Sequence, residues 1–437
     1  MKKFVCLLLA LILGTFSAMA QPAFDLEAQS ATVCQALLTG DYATVVSMLN
    51  DTAAAQLTED MLTQTMAAIG MQYGELTAVS DAVYYFEQNA AVFTVTFKNG
   101  ALNLSMAFDA DEKLAALNLT PAAEPVQASE RTLPEGVIET AVTLFPNSER
   151  SLNGLILTPT GADESTPYVV FIHGSGASDM DETMGPNKIF RDMAYDLAAL
   201  GVGSIRFDKI TYSHPELFSA SCTVTEEYLE PVREAVRVLR EHTGSDSVYA
   251  AGHSLGGMLT PWLAEECDLA GGVVLSGTPL SLWQMSYDQN LLLIESLPAE
   301  QRPALKAQVD TEREAALKIR TMTDEEAAAV TVFGMNGLYL KSIDILDQTA
   351  IAAASGKPFL FLWGEADVQV NRAAFDAWQE RLSADGPYNF ITYPGLNHMF
   401  MPAEAGDSIA NVQAAYARPA VVPSGISGDI AAWIAAQ

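Results

Sequence analysis

The sequence predicts an α/β fold with a mostly parallel, doubly wound sheet, preceded by a small α+β domain. Three observations predict it. Beyond residue 136, short apolar runs alternate with amphipathic helical stretches, which is typical of a sheet covered by helices on both faces. One run, residues 246–251, leads directly into Gly252-His253-Ser254-Leu255-Gly256. Residues 25–120 instead place helical patterns before a series of alternating strands.

The N-terminus has the parts of a secretory signal peptide cleaved after Ala20. Met1-Lys2-Lys3 precedes the apolar run 4–13, and Ala18-Met19-Ala20 follows it. A retained membrane anchor is the alternative, which the small-x-small cleavage site disfavours. Cys6 lies inside the apolar run rather than after the cleavage site, so a lipid anchor is not expected. No later apolar run approaches the ~20 residues that span a bilayer. We therefore expect a secreted protein.

Residues 21–120 predict an N-terminal α+β module. No histidine lies between Asp25 and Pro121, where 12 acidic residues accompany only two basic ones. The module therefore lacks a nucleophile–base pair, and its role as a binding, shielding or purely structural unit stays open. Residues 121–135, rich in Ala, Pro and Glu, predict a linker to a domain over 136–437. Helices are expected over 26–49 (interrupted at Gly40-Asp41) and 58–69, and strands from residue 76 onward, over 82–86, 91–97, 102–108 and 114–119.

Ser254 is the expected nucleophile. In Gly-x-Ser-x-Gly, a strand turns so sharply into a helix that the serine is strained and its hydroxyl is exposed above the sheet. Gly252 and Gly256 are required because a β-carbon at either position would collide with neighbouring backbone. A glycine-rich turn without chemistry is the alternative. The flanking strand and helix are both present, however, and this favours the nucleophile.

His398 is the expected general base among the five histidines of the chain. His253 lies within the turn, where its side chain must point away from that of the serine. His173 ends a strand in a His-Gly-Ser-Gly segment, which suits backbone donation better than proton transfer. His242 closes a charged helix and His214 lies in a loop, where surface and structural roles are expected. His398 follows the strand 389–393.

The orienting acid is expected after the strand 358–363, where Glu365 and Asp367 compete. We favour Asp367, because a turn at Gly364 lets the residue three positions later face back over the sheet. The resulting chain order of serine, aspartate and histidine is the one used by catalytic triads on parallel sheets. His398 would take the proton of Ser254 during attack on a carbonyl, and Asp367 would orient the imidazole.

Two backbone donors are expected to stabilise the tetrahedral oxyanion. One is the N–H of Leu255, directly after the nucleophile, and the other is the N–H of Ser175 in the His-Gly-Ser-Gly segment. Loss of one such donor typically costs about 2.7–4 kcal/mol of transition-state stabilisation. Side-chain replacement at these positions would test backbone donors poorly.

Residues 136–437 resemble secreted bacterial α/β-hydrolases of the serine esterase type, including dienelactone-hydrolase-like and acyl-esterase-like enzymes. The resemblance rests on the nucleophile turn, the His-Gly-Ser-Gly loop with residues 179–183, Phe207-Asp208-Lys209 and Gly395-Leu396-Asn397-His398. It implies an α/β-hydrolase fold and cleavage of carboxylic esters without a cofactor. Ile210 departs from the arginine often found there. The first module resembles an uncharacterised one often found ahead of such hydrolases.

Residues 277–356 are expected to form a helical cap insertion. Its apolar and aromatic side chains could shape an acyl pocket, although most are expected to form its own core. A serine peptidase with the same triad is the nearest rival to an esterase. A catalytically silent binding protein is the non-enzymatic rival, disfavoured because nucleophile, base, acid and oxyanion loop are all present.

The charge of the chain disfavours nucleic acid and anionic membranes as partners. Loss of Lys2 and Lys3 would change the formal charge from −31 to −33. A small-molecule ester or a carbohydrate-linked ester is the expected substrate class, and no oligomeric state is predicted. No metal-ligand spacing occurs, and the carboxylates Asp179, Asp181 and Glu182 are expected to form loop contacts rather than to hold a cation. Cys34 is expected to be buried, whereas a Cys222–Cys267 bridge is left open.

Overall fold

The computed structural model describes residues 25–54, 57–80, 82–85, 89–122, 131–218 and 221–437. The proposed signal peptide and most of the proposed linker lie outside the described residues. The chain divides into two compact units, residues 1–125 and 126–437. Among the described residues, no helix has the length and apolar character needed to cross a bilayer.

The first unit is an α+β module in which helices precede an antiparallel sheet. Alternate residues of its third strand are buried against the helices, which is the period expected when one face of a sheet covers a core. The helical stretch predicted over 26–49 breaks at Gly40-Asp41 as expected, and Gly40, whose φ is 83°, ends the first helix. The helices are Leu26–Thr39 (α1), Tyr42–Met48 (α2), Asp51–Ala54 (α3) and Glu59–Tyr73 (α4), and the strands are Leu76–Val79 (β1), Val83–Tyr85 (β2), Ala90–Phe97 (β3), Gly100–Phe108 (β4) and Leu114–Pro121 (β5). The strand order is β1-β3-β4-β5, with β2 also paired to β3.

The second unit is built on an eight-stranded, mostly parallel sheet, which confirms the predicted fold class. Its strands are Ile138–Leu144 (β6), Leu152–Thr158 (β7), Tyr168–Ile172 (β8), Gly203–Phe207 (β11), Val248–His253 (β12), Gly272–Leu275 (β13), Phe359–Gly364 (β16) and Tyr388–Tyr393 (β17), and two small hairpins contribute Thr183–Met184 (β9), Asn187–Lys188 (β10), Thr331–Val332 (β14) and Met335–Asn336 (β15). The order is β17-β16-β13-β12-β8-β11-β7-β6, and β7 alone runs in the direction opposite to that of the other strands. The chain passes from β8 to β11 on one side and returns to β12 on the other. In sheets of this kind, ligands bind where the strand order reverses, here at the carboxyl ends of β8 and β12.

Helices cover both faces of this sheet and create two separate apolar layers. Apolar side chains of the helices Glu230–Thr243, Leu255–Glu266 and Arg372–Arg381 fill one layer, and those of Ile189–Ala199 and Ser424–Ala435 fill the other. The helices are Ile189–Ala199 (α5), Ile210–Ser213 (α6), Glu230–Thr243 (α7), Leu255–Glu266 (α8), Leu282–Glu295 (α9), Arg302–Ile319 (α10), Asp324–Ala328 (α11), Gly337–Asp344 (α12), Gln348–Ser355 (α13), Arg372–Arg381 (α14), Val412–Tyr416 (α15) and Ser424–Ala435 (α16). Every central strand is buried along its whole length, as a doubly covered sheet requires.

Within the predicted insertion, residues 277–356, the last helix packs differently from those before it. Helices α9 to α12 and one hairpin precede it, with a small apolar core of their own around Ile319 and Leu340. Helix α13 instead packs against α8, and the side-chain oxygen of its Gln348 accepts the N–H of Trp262 at 3.1 Å. This helix is therefore part of the layer that covers the sheet. Its alanine-rich sequence does not distinguish the two roles.

Candidate active site

Ser254 lies at a strained turn between the end of β12 and the start of α8. Its backbone has φ 53° and ψ −114°, a left-handed conformation that residues with a β-carbon rarely adopt. Its N–H is held by the carbonyl of Leu275, 2.8 Å away on the neighbouring strand. The residue is partly accessible, whereas its neighbours His253 and Leu255 are buried. The turn therefore holds Ser254 in a strained conformation in which its side chain is accessible.

The two glycines of the turn are enforced by close backbone contacts. A β-carbon at Gly252 would lie 2.3 Å from the carbonyl oxygen of Gly256. A β-carbon at Gly256 would lie 2.4 Å from the carbonyl oxygens of Ile172 and His173, at the end of β8. Gly256 thus lets the start of α8 approach the loop that follows β8. The steric requirement predicted from the sequence is confirmed at both positions.

His398 and Asp367 form a buried pair on the loops after β17 and β16. The Nδ1 atom of His398 lies 2.6 Å from Oδ2 of Asp367. The other oxygen, Oδ1, accepts the N–H groups of Gln369 and Val370 at 2.8 and 2.9 Å. These donors and the imidazole compensate a carboxylate that is only 7% exposed. The arrangement leaves Nε2 of His398 as the ring nitrogen available for proton transfer.

Glu365 faces away from this pair. Its Oε1 accepts the hydroxyl of Thr392 at 2.8 Å on the exposed surface of β17. The Nε2–H of His214 donates to the carbonyl of Ser151 at 2.8 Å, and His242 is exposed on α7. Within the described part of the chain, no hydrogen bond joins either histidine to the nucleophile turn.

The loop after β8 is held rigidly beside Ser254. A β-carbon at Gly174 would come within 3.1 Å of the β-carbon of Ser254, so the two segments are in direct contact. Burial lowers the pKa of His173 to about 4, so its imidazole is neutral and Nε2–H donates to the carbonyl of Asp179 at 3.0 Å. Within the part of the chain that the structure describes, the N–H groups of Ser175 and Leu255 have no protein acceptor. Both are free to serve a ligand.

A buried ion pair, Glu182 with His253, joins this loop to the loop of His398. Nδ1 of His253 lies 3.1 Å from Oε2 of Glu182, and Oε1 of the same carboxylate accepts the N–H of Gly174 at 2.7 Å. Nε2 of His253 lies 2.9 Å from the carbonyl oxygen of His398. Burial disfavours the charged form of each partner, but their mutual attraction outweighs it. The pKa of Glu182 is lowered and that of His253 is raised.

A buried lysine holds the same loop from its other side. Nζ of Lys209 lies 2.8 Å from the carbonyl oxygen of Gly174 and 2.9 Å from that of Gly176. Oε1 of Glu227 lies 2.7 Å from this ammonium and balances its charge. The hydroxyl of Tyr228 also donates to the Gly174 carbonyl at 2.7 Å. Glu227 and Tyr228 belong to a π-helical turn, Thr225–Leu229, and such turns frequently occur at functional sites.

The acidic residues after this loop make protein contacts. Asp179 binds Thr183, Asp181 pairs with Arg206 and Lys188, and Glu182 pairs with His253. Among the described residues, no group of histidine, cysteine and carboxylate side chains is arranged to hold a metal ion. Cys34, Cys222 and Cys267 are free thiols, so the bridge left open by the sequence is not formed, and Cys34 is buried as predicted.

Sequence reasoning assigned no role at the site to His253, Glu182, Lys209 or Tyr228. His253 is not expected to be the base, and the structure gives it a contact with the backbone of His398. For Lys209 a signal existed, since a lysine directly after a buried strand must find partners for its ammonium group. Glu182 and Tyr228 carry no such signal, because their contacts depend on loops that only the fold brings together.

Two sequence families match the chain. Residues 169–412 match the family described as alpha/beta hydrolase family, and residues 30–117 match a family of proteins of unknown function, DUF3887. These matches follow the same division as the two compact units.

Individual proteins are also similar to the chain. Esterase EstD from Thermotoga maritima is 28% identical over 431 residues, which cover 98% of each protein. The Pyrococcus furiosus esterase Pf2001 is 14% identical, with a TM-score of 0.42, and the match covers 71% of this chain and 96% of that chain. A proline iminopeptidase of Mycobacterium smegmatis is 16% identical, with a TM-score of 0.42, over 68% of this chain and 98% of that chain.

Proposed function

This chain belongs to the alpha/beta hydrolase family, and from that premise we propose that it cleaves carboxylic esters with Ser254, His398 and Asp367. The contact between Asp367 and His398, beside a serine in a strained turn, carries the proposal. The likeness to a curated esterase along nearly the whole chain supports an ester as the substrate. The substrate class proposed is a small-molecule or carbohydrate-linked ester.

The proposed reaction follows from these positions. His398 takes the proton of the Ser254 hydroxyl through Nε2 as the oxygen attacks the ester carbonyl. The N–H groups of Leu255 and Ser175 stabilise the oxyanion, and the positive end of α8 adds to their effect. His398 then protonates the departing alcohol, which leaves an acyl group on Ser254. A water molecule, deprotonated by the same imidazole, releases the acid and restores the serine.

Labelling with a fluorophosphonate, followed by turnover of p-nitrophenyl esters of increasing acyl length, tests this proposal. We expect one label per chain at Ser254, and Ser254→Ala should lose both labelling and ester hydrolysis. Circular dichroism should remain that of the wild type, because the substitution removes one hydroxyl from a partly exposed residue. Turnover by Ser254→Ala near the wild-type rate would remove this serine from the mechanism.

The alternative that this chain is a peptidase using the same three residues is tested in parallel. Amide substrates such as amino acid p-nitroanilides require protonation of a poorer leaving group, but the geometry described above would serve them too. We expect kcat/KM for these amides to be far below that for esters of similar size. The reverse ratio would reassign the chain to peptide hydrolysis.

Export is the remaining part of the proposal, and it rests on the sequence of residues 1–20. Sequencing of the N-terminus of the protein recovered from outside the cytoplasm should give Gln21 as the first residue. A chain that begins at Met1 and stays in the cytoplasm would contradict export without affecting the triad.

A further inference from the structure

The peptide unit between Gly174 and Ser175 is hydrogen-bonded at its carbonyl oxygen, whereas its N–H has no protein acceptor among the described residues. Its carbonyl oxygen accepts hydrogen bonds from the Lys209 ammonium at 2.8 Å and the Tyr228 hydroxyl at 2.7 Å. Its N–H, on Ser175, is the donor proposed above for the oxyanion. A trans peptide is planar, so its C=O and N–H point in opposite directions. Whatever fixes the carbonyl therefore fixes the N–H as well.

We propose that Lys209 and Tyr228 are positioning residues that aim and polarise the Ser175 N–H for the oxyanion, and that Glu227 and Tyr339 anchor them to the helical insertion. The proposal rests on the proposed function, because it assigns these residues a task in stabilising the transition state. None of them touches substrate. They act through one peptide group.

The first task of Lys209 and Tyr228 is to polarise the peptide group between Gly174 and Ser175. A charged donor on a carbonyl oxygen draws electron density along the peptide, and hydrogen bonds that share one peptide strengthen each other. The Lys209 side chain is only 2% exposed, so water screens its charge little. Its second contact, with the Gly176 carbonyl at 2.9 Å, clamps the loop on both sides of Ser175. The N–H is thus already oriented before charge develops.

Glu227 and Tyr339 then anchor this arrangement to the helical insertion. Glu227 offers one oxygen to Lys209 and the other to the hydroxyl of Tyr339, which lies on α12 of the insertion. The Ser342 hydroxyl, on the same helix, accepts the N–H of Val224 at 3.1 Å at the start of the π-helical turn. The insertion is therefore joined by hydrogen bonds to the group that orients the oxyanion donor. Glu227 is 6% exposed, and its carboxylate compensates the charge of the buried lysine.

Tyr228→Phe is the sharpest test, since it deletes one donor to the Gly174 carbonyl and keeps the ring. Complete loss of an oxyanion donor costs about 10²–10³ in kcat, so weakening one should cost roughly tenfold. We expect kcat for p-nitrophenyl esters to fall by that factor while KM and the pH profile of kcat/KM stay as in the wild type. Tyr168→Phe is the matched control, because that hydroxyl is buried at the opposite end of β8 and should leave kcat unchanged.

A thionoester separates positioning from a general loosening of the site. Sulfur accepts hydrogen bonds weakly, so turnover of a thionoester depends less on the oxyanion donors. Tyr228→Phe should therefore slow an oxoester more than its thionoester counterpart. Equal slowing of both, a change confined to KM, or kcat equal to that of Tyr168→Phe would each overturn the proposal.

The link to the insertion is tested by Tyr339→Phe against Tyr287→Phe. Both tyrosines lie in the insertion and both hydroxyls bind a carboxylate, but the partner of Tyr287 is Asp310, also in the insertion. Tyr339→Phe should lower kcat with the same oxoester selectivity as Tyr228→Phe, and Tyr287→Phe should not. Equal kinetics of the two variants would refute the anchor.

Lys209→Met combined with Glu227→Gln provides a second variant that avoids an unpaired buried charge. It should lower kcat more than Tyr228→Phe does, since the charged donor is the stronger one. These outcomes are distinct from failure of the proposed function. If wild-type ester turnover is abolished by Ser254→Ala while all variants of this set match their controls, only the present proposal fails.

Discussion

At the scale of single residues, the two carboxylates after β16 differ in what they contact. Asp367 contacts the buried imidazole of His398, whereas Glu365 accepts an exposed hydrogen bond from the partly buried Thr392. Gly364 makes the difference, because a β-carbon there would lie 2.3 Å from the Leu396 carbonyl oxygen. The strand end and the histidine loop can touch only at a glycine, and the following turn then directs Asp367 inward.

We predict that Asp367→Asn lowers kcat by about 10⁴, as neutralising a triad aspartate does elsewhere, because an amide no longer favours the required imidazole tautomer. Glu365→Gln should change kcat little. Parallel steady-state kinetics on p-nitrophenyl esters compare the two variants. A severe loss in Glu365→Gln with a normal Asp367→Asn would reverse the assignment.

Glu182 and His253 should make stability depend on pH in a defined window. The lowered pKa of Glu182 gives a contribution that is present above its ordinary value of 4.5 and is lost as pH falls through the folded value. The raised pKa of His253 gives one that is present below 6.5 and is lost as pH rises through the folded value. Their attraction is therefore complete between 4.5 and 6.5.

Glu182→Gln tests this window. The wild-type advantage in unfolding free energy over the variant should be greatest at about pH 5.5 and should shrink as pH rises above 6.5, because His253 loses its charge. Urea unfolding of both proteins across this range measures the difference. An advantage that grows with rising pH would show that the pair is not charged as described.

At the scale of elements, steric space at glycines decides which positions tolerate a side chain. Gly256→Ala should disrupt the turn, because its new β-carbon would meet backbone of β8 at 2.4 Å. Gly428→Ala is the control, since nothing lies within 4 Å of a β-carbon there and α16 would gain up to about 1 kcal/mol from alanine. Thermal unfolding should show a lower midpoint for the first variant and a higher one for the second. Matching shifts would contradict the packing described.

In the hydrolase unit, the sequence predicted the strands and helices better than it predicted the contacts between their side chains. Apolar runs and the Gly-x-Ser-x-Gly turn predicted the central strands and the helix after Ser254, because burial on both faces and a tight turn leave strong local patterns. The sequence did not separate α13 from the other helices of the predicted insertion, because α13 is apolar enough for either layer. The contacts of Lys209 and Glu182 could not be predicted, because their partners lie on segments distant in sequence.

At the scale of the whole molecule, the two compact units have separate hydrophobic cores. One core lies within residues 26–114, and those of the hydrolase unit lie within 137–434. A chain of this kind is not expected to unfold as a single two-state system.

We predict that residues 126–437 form a soluble domain that retains turnover of small esters. All groups proposed for the reaction, from the loop after β8 to His398, lie in this unit and draw their hydrogen bonds from it. The fragment should reproduce one of the unfolding transitions of the full chain, and its kcat on a short p-nitrophenyl ester should match. Calorimetry and steady-state kinetics on both proteins make the comparison. If the fragment folds with the same transition yet has lost turnover, the N-terminal module supplies part of the site, and its role is catalytic support rather than a separate structural one.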